Sequence, residues 1–316
     1  MADFPSISVV IPCYNSEKSL PLVVSQVDQV LASRAAALEF VLVEDGSRDR
    51  TWDVISDLAR QYAHVRGIRL MRNYGQHNAL LCGIRAARHK IVVTLDDDLQ
   101  NRPEDVPLLL AKLNEGYDVV YGTPQKEAHG LLRNLASRVT KAVLQGSMGA
   151  ETARSVSAFR AFRTWLREGF DNYRGTLVSI DVLLTWSTNR FTTVSVSNEK
   201  RTIGASNYTL RALFRHSMNM MTGFSILPLQ LASFVGFAFT LFGIGVLVYV
   251  LGRYLVQGSS VQGFPFLASV IAIFSGAQLF ALGIIGEYLA RIHLRSMDRP
   301  SFTIDATTDE TVRRER

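Results

Sequence analysis

The stretch KIVVTLDDDLQNRPED, Lys90 to Asp105, decides how the first half of the chain is organised. Its first residues are mostly β-branched and apolar, which predicts a buried strand. That strand leads directly into three consecutive carboxylates, Asp96, Asp97 and Asp98. Adjacent acids repel one another, and the repulsion is poorly screened at the end of a buried strand. A positive charge is therefore expected beside them.

The same alternation of apolar runs and helical patterns continues on both sides of this stretch. Strands are predicted at 7–12, 39–45, 65–71, 90–96 and 117–122, and helices at 19–33, 51–63, 77–88 and 103–114. Strands that alternate with helices predict a mainly parallel sheet with helices on both faces. From 123 to 222 the pattern is less regular, with helical patterns at 131–144 and 176–188 and a strand pattern at 190–201.

The second half of the chain contains two long segments without a charged side chain. Hydrophobic residues make up 47% of the 316 residues, and no Asp, Glu, Lys or Arg lies between Arg215 and Arg253 or between Arg253 and Glu287. Each gap exceeds the roughly 20 apolar residues that span a bilayer core. Transmembrane helices are therefore predicted at about 227–250 and 266–290. Two buried core helices are the alternative, but core helices of that length normally show a polar stripe.

Basic residues on the outer flanks of the two spans predict the topology. The stretch VQGSSVQGFP (256–265) between the spans is uncharged, whereas arginines stand before the first span and after the second: Arg201, Arg211, Arg215, Arg291, Arg295 and Arg299. Basic flanks place both termini in the cytoplasm. The N-terminal sequence shows no signal-peptide pattern, so the first ~220 residues are expected to be cytosolic as well. Asp298 to Arg316 is polar and is expected to be poorly ordered.

Charge and cysteine content limit the partners that the chain is expected to have. The net charge of +6 agrees with attraction to an anionic leaflet. No basic stripe with interleaved aromatic residues occurs in the sequence, so nucleic acid is not expected as a partner. The segment 208–224 mixes arginines with apolar residues, which predicts an amphipathic helix on the membrane surface; a packed helix is the alternative. Cys13 and Cys82 show no metal-ligand spacing, and a reduced cytosolic state is expected.

The acids of the first half follow predicted strands. Glu44 and Asp45 end one strand, and the three aspartates from 96 to 98 end another. Ligands of open α/β sheets bind beyond the carboxyl ends of the strands. If strand alternation continues, Asp96 and Asp98 point to one side and Asp97 to the other. Two carboxylates on one side can share Mg²⁺ or Mn²⁺ with phosphate oxygens, which implies a phosphorylated substrate. A solvated acidic turn is the alternative.

Four motifs in sequence order together resemble a known family. VVIPCYNSEKSL, VEDGSRDRTWDV, RNYGQHNALLCGIRAA and TLDDDLQNRPEDVPLL are similar to the inverting family 2 glycosyltransferases with a GT-A fold. NYGQH, DLQN, GEYLARIH and the C-terminal hairpin resemble the membrane-anchored branch that moves a sugar from a nucleotide to polyprenyl phosphate. That branch includes undecaprenyl-phosphate glucosyltransferases and aminoarabinose transferases of bacteria. The resemblance covers roughly 6–300.

The resemblance implies an α/β chain with a Rossmann-like, mainly parallel GT-A domain, followed by amphipathic interface helices and a two-helix transmembrane hairpin. The expected boundaries are 1–207 for the cytosolic GT-A domain, 208–226 for the juxtamembrane amphipathic helix, 227–290 for the two transmembrane helices and 291–316 for a cytosolic tail.

The resemblance also assigns roles to residues at the strand ends. Pro12, Tyr14 and Glu17 match the loop that contacts the nucleoside, and Asp45 matches the acid that recognises the base or ribose. Tyr14 could instead only pack, and Glu17 could be an acid favoured by a helix N-terminus.

The Asp-x-Asp motif of the family is matched by Asp96 and Asp98. Asp98 is the expected direct metal ligand, and Asp96 is expected near both metal and nucleotide. Gln100 follows near the donor sugar or the acceptor. His77 is expected to make a structural hydrogen bond rather than to act as a base, and Cys82 to be a small core residue.

Three arginines match or replace family positions that face phosphates. Arg133 and Arg201 match basic positions of the family. In the family motif that begins at Arg201, a lysine usually stands at the position of Asn207. Arg154 stands six residues before Arg160, where the family has an aspartate. An arginine cannot take a proton at pH 7 but can hold a phosphate bidentately. Arg154 and Arg201 are therefore expected to bind the acceptor phosphate. With Asp96, Asp98 and Gln100 they form the expected catalytic set. The alternative is that Arg133 or Arg154 is only exposed to solvent.

The activity implied is transfer of a sugar from a nucleoside-diphosphate sugar to an undecaprenyl- or decaprenyl-type phosphate with inversion, for cell-envelope glycans. The expected location is the cytoplasmic (inner) membrane, with multiple passes. A processive polysaccharide synthase is an alternative, but its Gln-x-x-Arg-Trp motif is not found. An inactive membrane scaffold is a second alternative, and the retained acids count against it.

Small residues recur every four positions in both predicted spans. They are Ala232, Gly236 and Thr240 in the first span and Ala268, Ala272 and Gly276 in the second. Small residues at that spacing let helices approach closely. They predict a homo-oligomer or packing within one hairpin, and the resemblance favours a tetramer.

Overall fold

The computed structural model describes residues 3–124, 156–197, 227–257 and 264–309. Contacts divide the chain into two compact units. Met1–Phe214 and Asp298–Arg316 form one unit, and Arg215–Met297 form the other.

The first unit is built on one eight-stranded sheet. Its strands are β1 (Ile7–Cys13), β2 (Leu38–Glu44), β3 (Val65–Leu70), β4 (Ile91–Thr94), β5 (Val119–Pro124), β6 (Arg160–Arg163), β7 (Phe191–Val196) and β8 (Ile304–Thr307). The order across the sheet is β7-β5-β6-β4-β1-β2-β3-β8. Only β6 and β8 run antiparallel to their neighbours, so six strands end at the same edge. The predicted mainly parallel sheet is confirmed.

Helices cover both faces of the sheet. They are α1 (Leu20–Leu31), α2 (Thr51–Gln61), α3 (Gln76–Ala86), α4 (Val106–Asn114) and α5 (Ile180–Thr185), with 3₁₀ turns at Pro103–Asp105 and Thr164–Phe170. The apolar sides of α1, α2 and α4 share one core with Val9 and Ile11 of β1. Gly83 of α3 lies against Val10 and Val43 on the opposite face. All seven residues of β1 are buried, as expected for a strand covered by helices on both faces.

The structure confirms the five predicted strands and four predicted helices of the first half, and corrects several later ones. The helix predicted at 176–188 is only Ile180–Thr185, and the strand predicted at 190–201 is Phe191–Val196 within the described residues. The helix predicted at 131–144 lies outside the described residues. The expectation of a poorly ordered tail is wrong at Ile304–Thr307, because this segment pairs with β3 as a sheet strand.

The second unit consists of two long apolar helices. Helix α6 runs from Leu227 to Gln257 and helix α7 from Phe264 to Ser296, which confirms the two predicted helices and extends both. Pro228–Val256 and Ile273–Ser296 are long and apolar enough to cross a membrane. The two helices meet through aromatic side chains, with Phe274 of α7 against Phe239 and Phe242 of α6. The amphipathic helix predicted at 208–226 lies outside the described residues.

One glycine at the carboxyl edge of the sheet permits close contact between two loops. Gly46 has φ +67°, and a Cβ there would lie 2.7 Å from the carbonyl carbon of Arg72 and closer still to the amide nitrogen of Asn73. Both atoms belong to backbone, which cannot rotate away as a side chain can. The loops after β2 and β3 can therefore pack together only if residue 46 is glycine.

We expect Gly46→Ala to lower the free energy of unfolding by about 2–4 kcal/mol, from left-handed backbone strain and from overpacking. Gly116→Ala is the matched control, because Gly116 has φ +102° but its nearest neighbour is a side-chain nitrogen of Arg190 at 3.6 Å. Strain alone should cost the control about 1–2 kcal/mol. Denaturant unfolding of both variants measures the difference, and equal losses would contradict the close-packing argument.

Candidate functional site

Four loops meet where the parallel strands end. They follow β1, β2, β3 and β4, and each contains one residue with positive φ: Asn15 at 56°, Gly46 at 67°, Gly75 at 94° and Leu99 at 60°. A left-handed conformation is unfavourable for Leu, and such strained residues cluster at functional sites. The four loops therefore form the candidate site.

The loops after β1 and β2 are bonded to each other near the start of α2. The Glu17 amide donates to Asp49 Oδ2 at 3.2 Å, and the Arg50 amide donates to Glu17 Oε2 at 3.2 Å. The Ser16 amide donates to Thr51 Oγ1 at 2.8 Å. The Arg50 amide stands at the beginning of α2, where backbone N–H groups lack helical partners, and the amides of Ser16 and Glu17 belong to the loop after β1. Glu17 thus stabilises the two loops, and its predicted contact with the nucleoside stays a prediction.

Asp97 joins the loop after β4 to the loop after β1. Its Oδ2 accepts hydrogen bonds from the Ser16 hydroxyl and from the Tyr14 amide, the latter at 3.3 Å. Burial raises the pKa of Asp97, and the hydrogen bond from Ser16 opposes that rise. Its carboxylate therefore holds two loops together.

Asp96 and Asp98 have partners different from those of Asp97. Asp96 Oδ1 accepts from the Gln76 side-chain amide at 2.6 Å, and Asp98 Oδ1 accepts from the Gln100 amide at 3.1 Å. Strand β4 ends at Thr94. The premise that strand alternation continues through the acids is therefore wrong, although Asp97 does point to different partners.

The carboxylates of the Asp-x-Asp pair are of the type that suits a hard divalent cation. Asp96 and Asp98 are both partly exposed, and carboxylate oxygens are the donors that Mg²⁺ and Mn²⁺ prefer. Across the described ranges, no group of three or more His, Cys, Asp or Glu side chains is arranged to hold a metal ion. A cation at this pair would complete its shell with substrate or water oxygens, as Mg²⁺ usually does.

Asp45 is buried and holds the loop after β3. Its two carboxylate oxygens accept from the Tyr74 amide at 2.7 Å and the Gly75 amide at 2.8 Å, and its own carbonyl accepts from the Asn73 side chain at 3.0 Å. Burial raises the pKa of Asp45 to about 6, the two amides oppose the rise, and Glu44 adds to it. An acid at the carboxyl edge of the sheet thus has a pKa well above its ordinary value and titrates just below neutral pH.

The other predicted residues divide into those that the structure describes and those it does not. Pro12 is buried within β1, and Tyr14 is 43% exposed in the loop after it. Gln100 lies in the loop after β4. The three predicted phosphate ligands lie outside the described residues: Arg133, Arg154 and Arg201. Their roles stay predictions.

Two secondary expectations agree with the structure. His77 Nδ1 accepts a hydrogen bond from the Ile180 amide at 3.4 Å, which is a structural contact. Cys82 is 2% exposed, and burial raises the pKa of its thiol to about 12. Neither residue has the environment of a reactive group.

The sequence interpretation missed the residues that hold the acids. Ser16, Asp49 and Gln76 bond to the site loops but were not singled out. For Asp49 a signal existed, because an aspartate two residues before Thr51 is a common arrangement at a helix start. Gln76 stands inside NYGQH, yet only its proximity in space to Asp96 reveals its contact.

Comparison with known proteins identifies the chain's relatives. Residues 8–170 match the family described as glycosyl transferase family 2. The undecaprenyl-phosphate 4-deoxy-4-formamido-L-arabinose transferase of Shewanella sediminis is 34% identical over 94% of this chain and 91% of its own length. The enzyme of that name from Klebsiella pneumoniae is 32% identical over 94% of this chain and 92% of its own length.

A solved structure shares the fold of the first unit. Glucosyl-3-phosphoglycerate synthase from Mycobacterium tuberculosis, in complex with Mn²⁺ and UDP-glucose, superposes with a TM-score of 0.53. It is 20% identical and covers 69% of this chain and 77% of its own. The expected GT-A fold is confirmed by this likeness.

The raised pKa of Asp45 predicts a pH-dependent stability difference. An aspartate with an ordinary pKa near 3.9 when unfolded and about 6 when folded binds more protons in the folded state between these values. Folding stability from this group therefore falls as pH rises from about 4 to 6. We expect the stability of Asp45→Asn relative to the wild type to rise by about 2 kcal/mol between pH 4 and 7.

Thermal unfolding across that range measures the trend, with Asp57→Asn on the exposed side of α2 as the matched acid-to-amide control. A difference between Asp45→Asn and the wild type that stays constant from pH 4 to 7 would show that Asp45 is not perturbed in this way.

Proposed function

The chain belongs to glycosyl transferase family 2, and on that premise we propose that it transfers a sugar from a nucleoside-diphosphate sugar to polyprenyl phosphate with inversion. The product is a lipid-linked monosaccharide for the cell envelope. The observation that carries the proposal is similarity to undecaprenyl-phosphate sugar transferases over 94% of the chain, which includes the two apolar helices as well as the sheet.

The donor is proposed to bind at the carboxyl edge of the sheet. Tyr14 and Asp45 lie on neighbouring loops there, and Asp45 is already held by the loop after β3. Pro12 and Glu17 are proposed to stabilise the loop that forms this nucleoside pocket, since Pro12 is buried and Glu17 bonds to the adjacent loop. The partly exposed Tyr14 ring offers a flat surface for a base.

Asp98, with Asp96 beside it, is proposed to hold a divalent cation together with the donor diphosphate. When bound, Mg²⁺ or Mn²⁺ neutralises charge on the leaving nucleotide. The solved synthase of the same fold was crystallised with Mn²⁺, which supports a divalent cation, and the choice between the two metals is part of the proposal. Gln76 orients Asp96 through its side-chain amide, and the Gln100 amide orients Asp98.

The acceptor chemistry needs positive charge more than a base. A phosphate monoester has its second pKa near 6, so polyprenyl phosphate is already ionised at cytosolic pH. A general base is then less necessary than for a hydroxyl acceptor. The ionised acceptor must still approach an anionic donor, and Arg133, Arg154 and Arg201 are proposed to hold its phosphate and the diphosphate.

The membrane unit agrees with a lipid acceptor. Two helices long enough to span a bilayer support a cytoplasmic-membrane protein whose catalytic domain and termini are proposed to lie in the cytoplasm. A Cβ at Gly236 or Gly276 would meet no atom within 4 Å in a single chain, whereas Gly243 lies beside Phe274. Gly236 and Gly276 therefore leave room for another copy, and we propose a homo-oligomer, with a tetramer favoured.

The proposal is tested by incubating the purified protein with labelled nucleotide sugars and polyprenyl phosphate. A lipid carrying one sugar supports it. A long polymer would instead indicate a processive synthase, and no turnover with any donor would indicate a scaffold.

We expect Asp98→Asn to lose at least 100-fold in turnover while the melting temperature changes by no more than a few degrees, because a neutral amide binds the cation more weakly. Glu104→Gln, an exposed acid in the same stretch, is the matched control and should keep full activity. Turnover is measured with Mg²⁺, Mn²⁺ and excess chelator. Full activity in chelator would contradict the metal site.

We expect Arg154→Ala to raise the acceptor KM about tenfold or more with little change in donor KM, since it removes a charge-assisted bond to phosphate. Arg60→Ala, an exposed arginine on α2, controls for loss of one positive charge. Initial rates against lipid-phosphate concentration decide the point. Unchanged kinetics for both substrates would remove Arg154 from the acceptor site.

A further inference from the structure

The residues that follow α7 return to the sheet. Ser301 to Asp309, here named the C-terminal segment, contains β8, which pairs with β3 through Ile304, Ala306 and Thr307. The pairing continues on both sides of the strand. The Thr308 amide donates to the Gly67 carbonyl at 3.0 Å, and the Met71 amide donates to the Thr303 carbonyl at 2.9 Å.

Ion pairs fix this segment at two places along β3. Asp305 accepts from Arg69 Nε at 2.7 Å, close to the carboxyl end of β3. Asp309 accepts from Arg66 at 3.3 Å and Arg88 at 3.1 Å, at the opposite end of the strand. Among these charged pairs, only the one with Asp305 is next to the candidate site.

The same end of the segment holds the loop after β3, residues 71–75. The hydroxyl groups of Tyr74 and Thr303 are hydrogen-bonded, which lowers the pKa of Tyr74. The guanidinium of Arg72 lies 4.7 Å from the centre of the Tyr74 ring. One side of the loop thus contacts the C-terminal segment, and its other side supplies the amides of Tyr74 and Gly75 to Asp45.

We propose that the C-terminal segment is a positioning element for the nucleotide site. By holding Met71 through the Thr303 carbonyl, and Arg69 at the end of β3 through Asp305, it sets the orientation of the Asp45 carboxylate, so donor affinity depends on the last strand of the sheet. The inference rests on the proposed function, from which Asp45 takes its role toward the nucleoside.

A strand at the sheet edge could also serve only to cover β3, which would otherwise present unpaired backbone groups. The two functions differ in which part of the C-terminal segment a substitution must disturb in order to impair them. Covering β3 depends on the whole ladder, including the end at Asp309. Positioning of Asp45 depends on the end at Thr303 and Asp305.

Two charge reversals on the same strand separate these functions. Asp305→Lys and Asp309→Lys each replace an ion pair with repulsion between like charges. We expect Asp305→Lys to raise the donor KM about tenfold and to leave the acceptor KM within twofold. Asp309→Lys should leave both KM values within twofold. Thr303→Val, which keeps the shape and backbone bond but removes the hydroxyl, should raise the donor KM about threefold.

Hydrogen–deuterium exchange of the full-length protein supplies a readout that does not depend on turnover. Exchange of the Tyr74 and Gly75 amides should be at least tenfold faster in Asp305→Lys than in the wild type, and unchanged in Asp309→Lys. Equal donor KM effects from the two reversals would overturn the inference, as would unchanged exchange at Tyr74 and Gly75 in Asp305→Lys. If no protein, the wild type included, transfers sugar, the proposed function fails, while the exchange result still decides whether the segment holds the loop.

Discussion

The convergence of acidic side chains at one edge of a parallel sheet is the constraint on which the rest of this structure depends. Six strands end at that edge, and two of them deliver Glu44, Asp45 and the three aspartates from 96 to 98. Carboxylates this close raise one another's energy unless each has its own donors. The structure supplies backbone amides of neighbouring loops to Asp45 and Asp97, so that these two acids also serve to fix a loop.

The acids consequently divide by what their oxygen atoms contact. Asp45 and Asp97 are satisfied by groups of other loops and hold those loops in place. Asp96 accepts from the Gln76 side chain and Asp98 from the Gln100 amide, and both remain partly exposed. Asp45 is buried, whereas the three aspartates from 96 to 98 are all partly exposed. Burial and the neighbouring charge of Asp98 both raise the pKa of Asp97, and its hydrogen bonds from Ser16 and Tyr14 oppose that rise. The three consecutive aspartates thus differ in their partners, with Asp97 joining two loops.

Local patterns were sufficient to predict the first half of the fold, and tertiary contacts explain what they missed. Strands β1 to β5 are apolar runs bounded by helix patterns, so each one can be recognised alone. Strand β6 is four residues long, begins and ends with arginine, and is stabilised by a buried ion pair between Arg160 and Asp181. Strand β8 is equally short and polar. Both are strands because of the neighbours they pair with, which is information that a short segment does not contain.

The candidate site shows the same difference between what local patterns predict and what tertiary contacts determine. Acids at strand ends were predictable because parallel strands finish together, but their orientations were not, since β4 ends two residues before Asp96. The bonds of Ser16, Asp49 and Gln76 join loops far apart in the chain, and spacing in the sequence does not encode them.

Asp45 shows why the carboxylate is needed at the site even before a ligand is considered. A shift of its pKa from about 3.9 to about 6 corresponds to roughly 3 kcal/mol of unfavourable free energy when the group is ionised at neutral pH. An asparagine would avoid this cost, but it has one oxygen, whereas Tyr74 and Gly75 donate to two different oxygens. The acid therefore fixes the loop after β3 in a way that its amide cannot reproduce. Each carboxylate oxygen also has a second lone pair, and the role proposed for Asp45 toward the nucleoside depends on that further acceptor capacity.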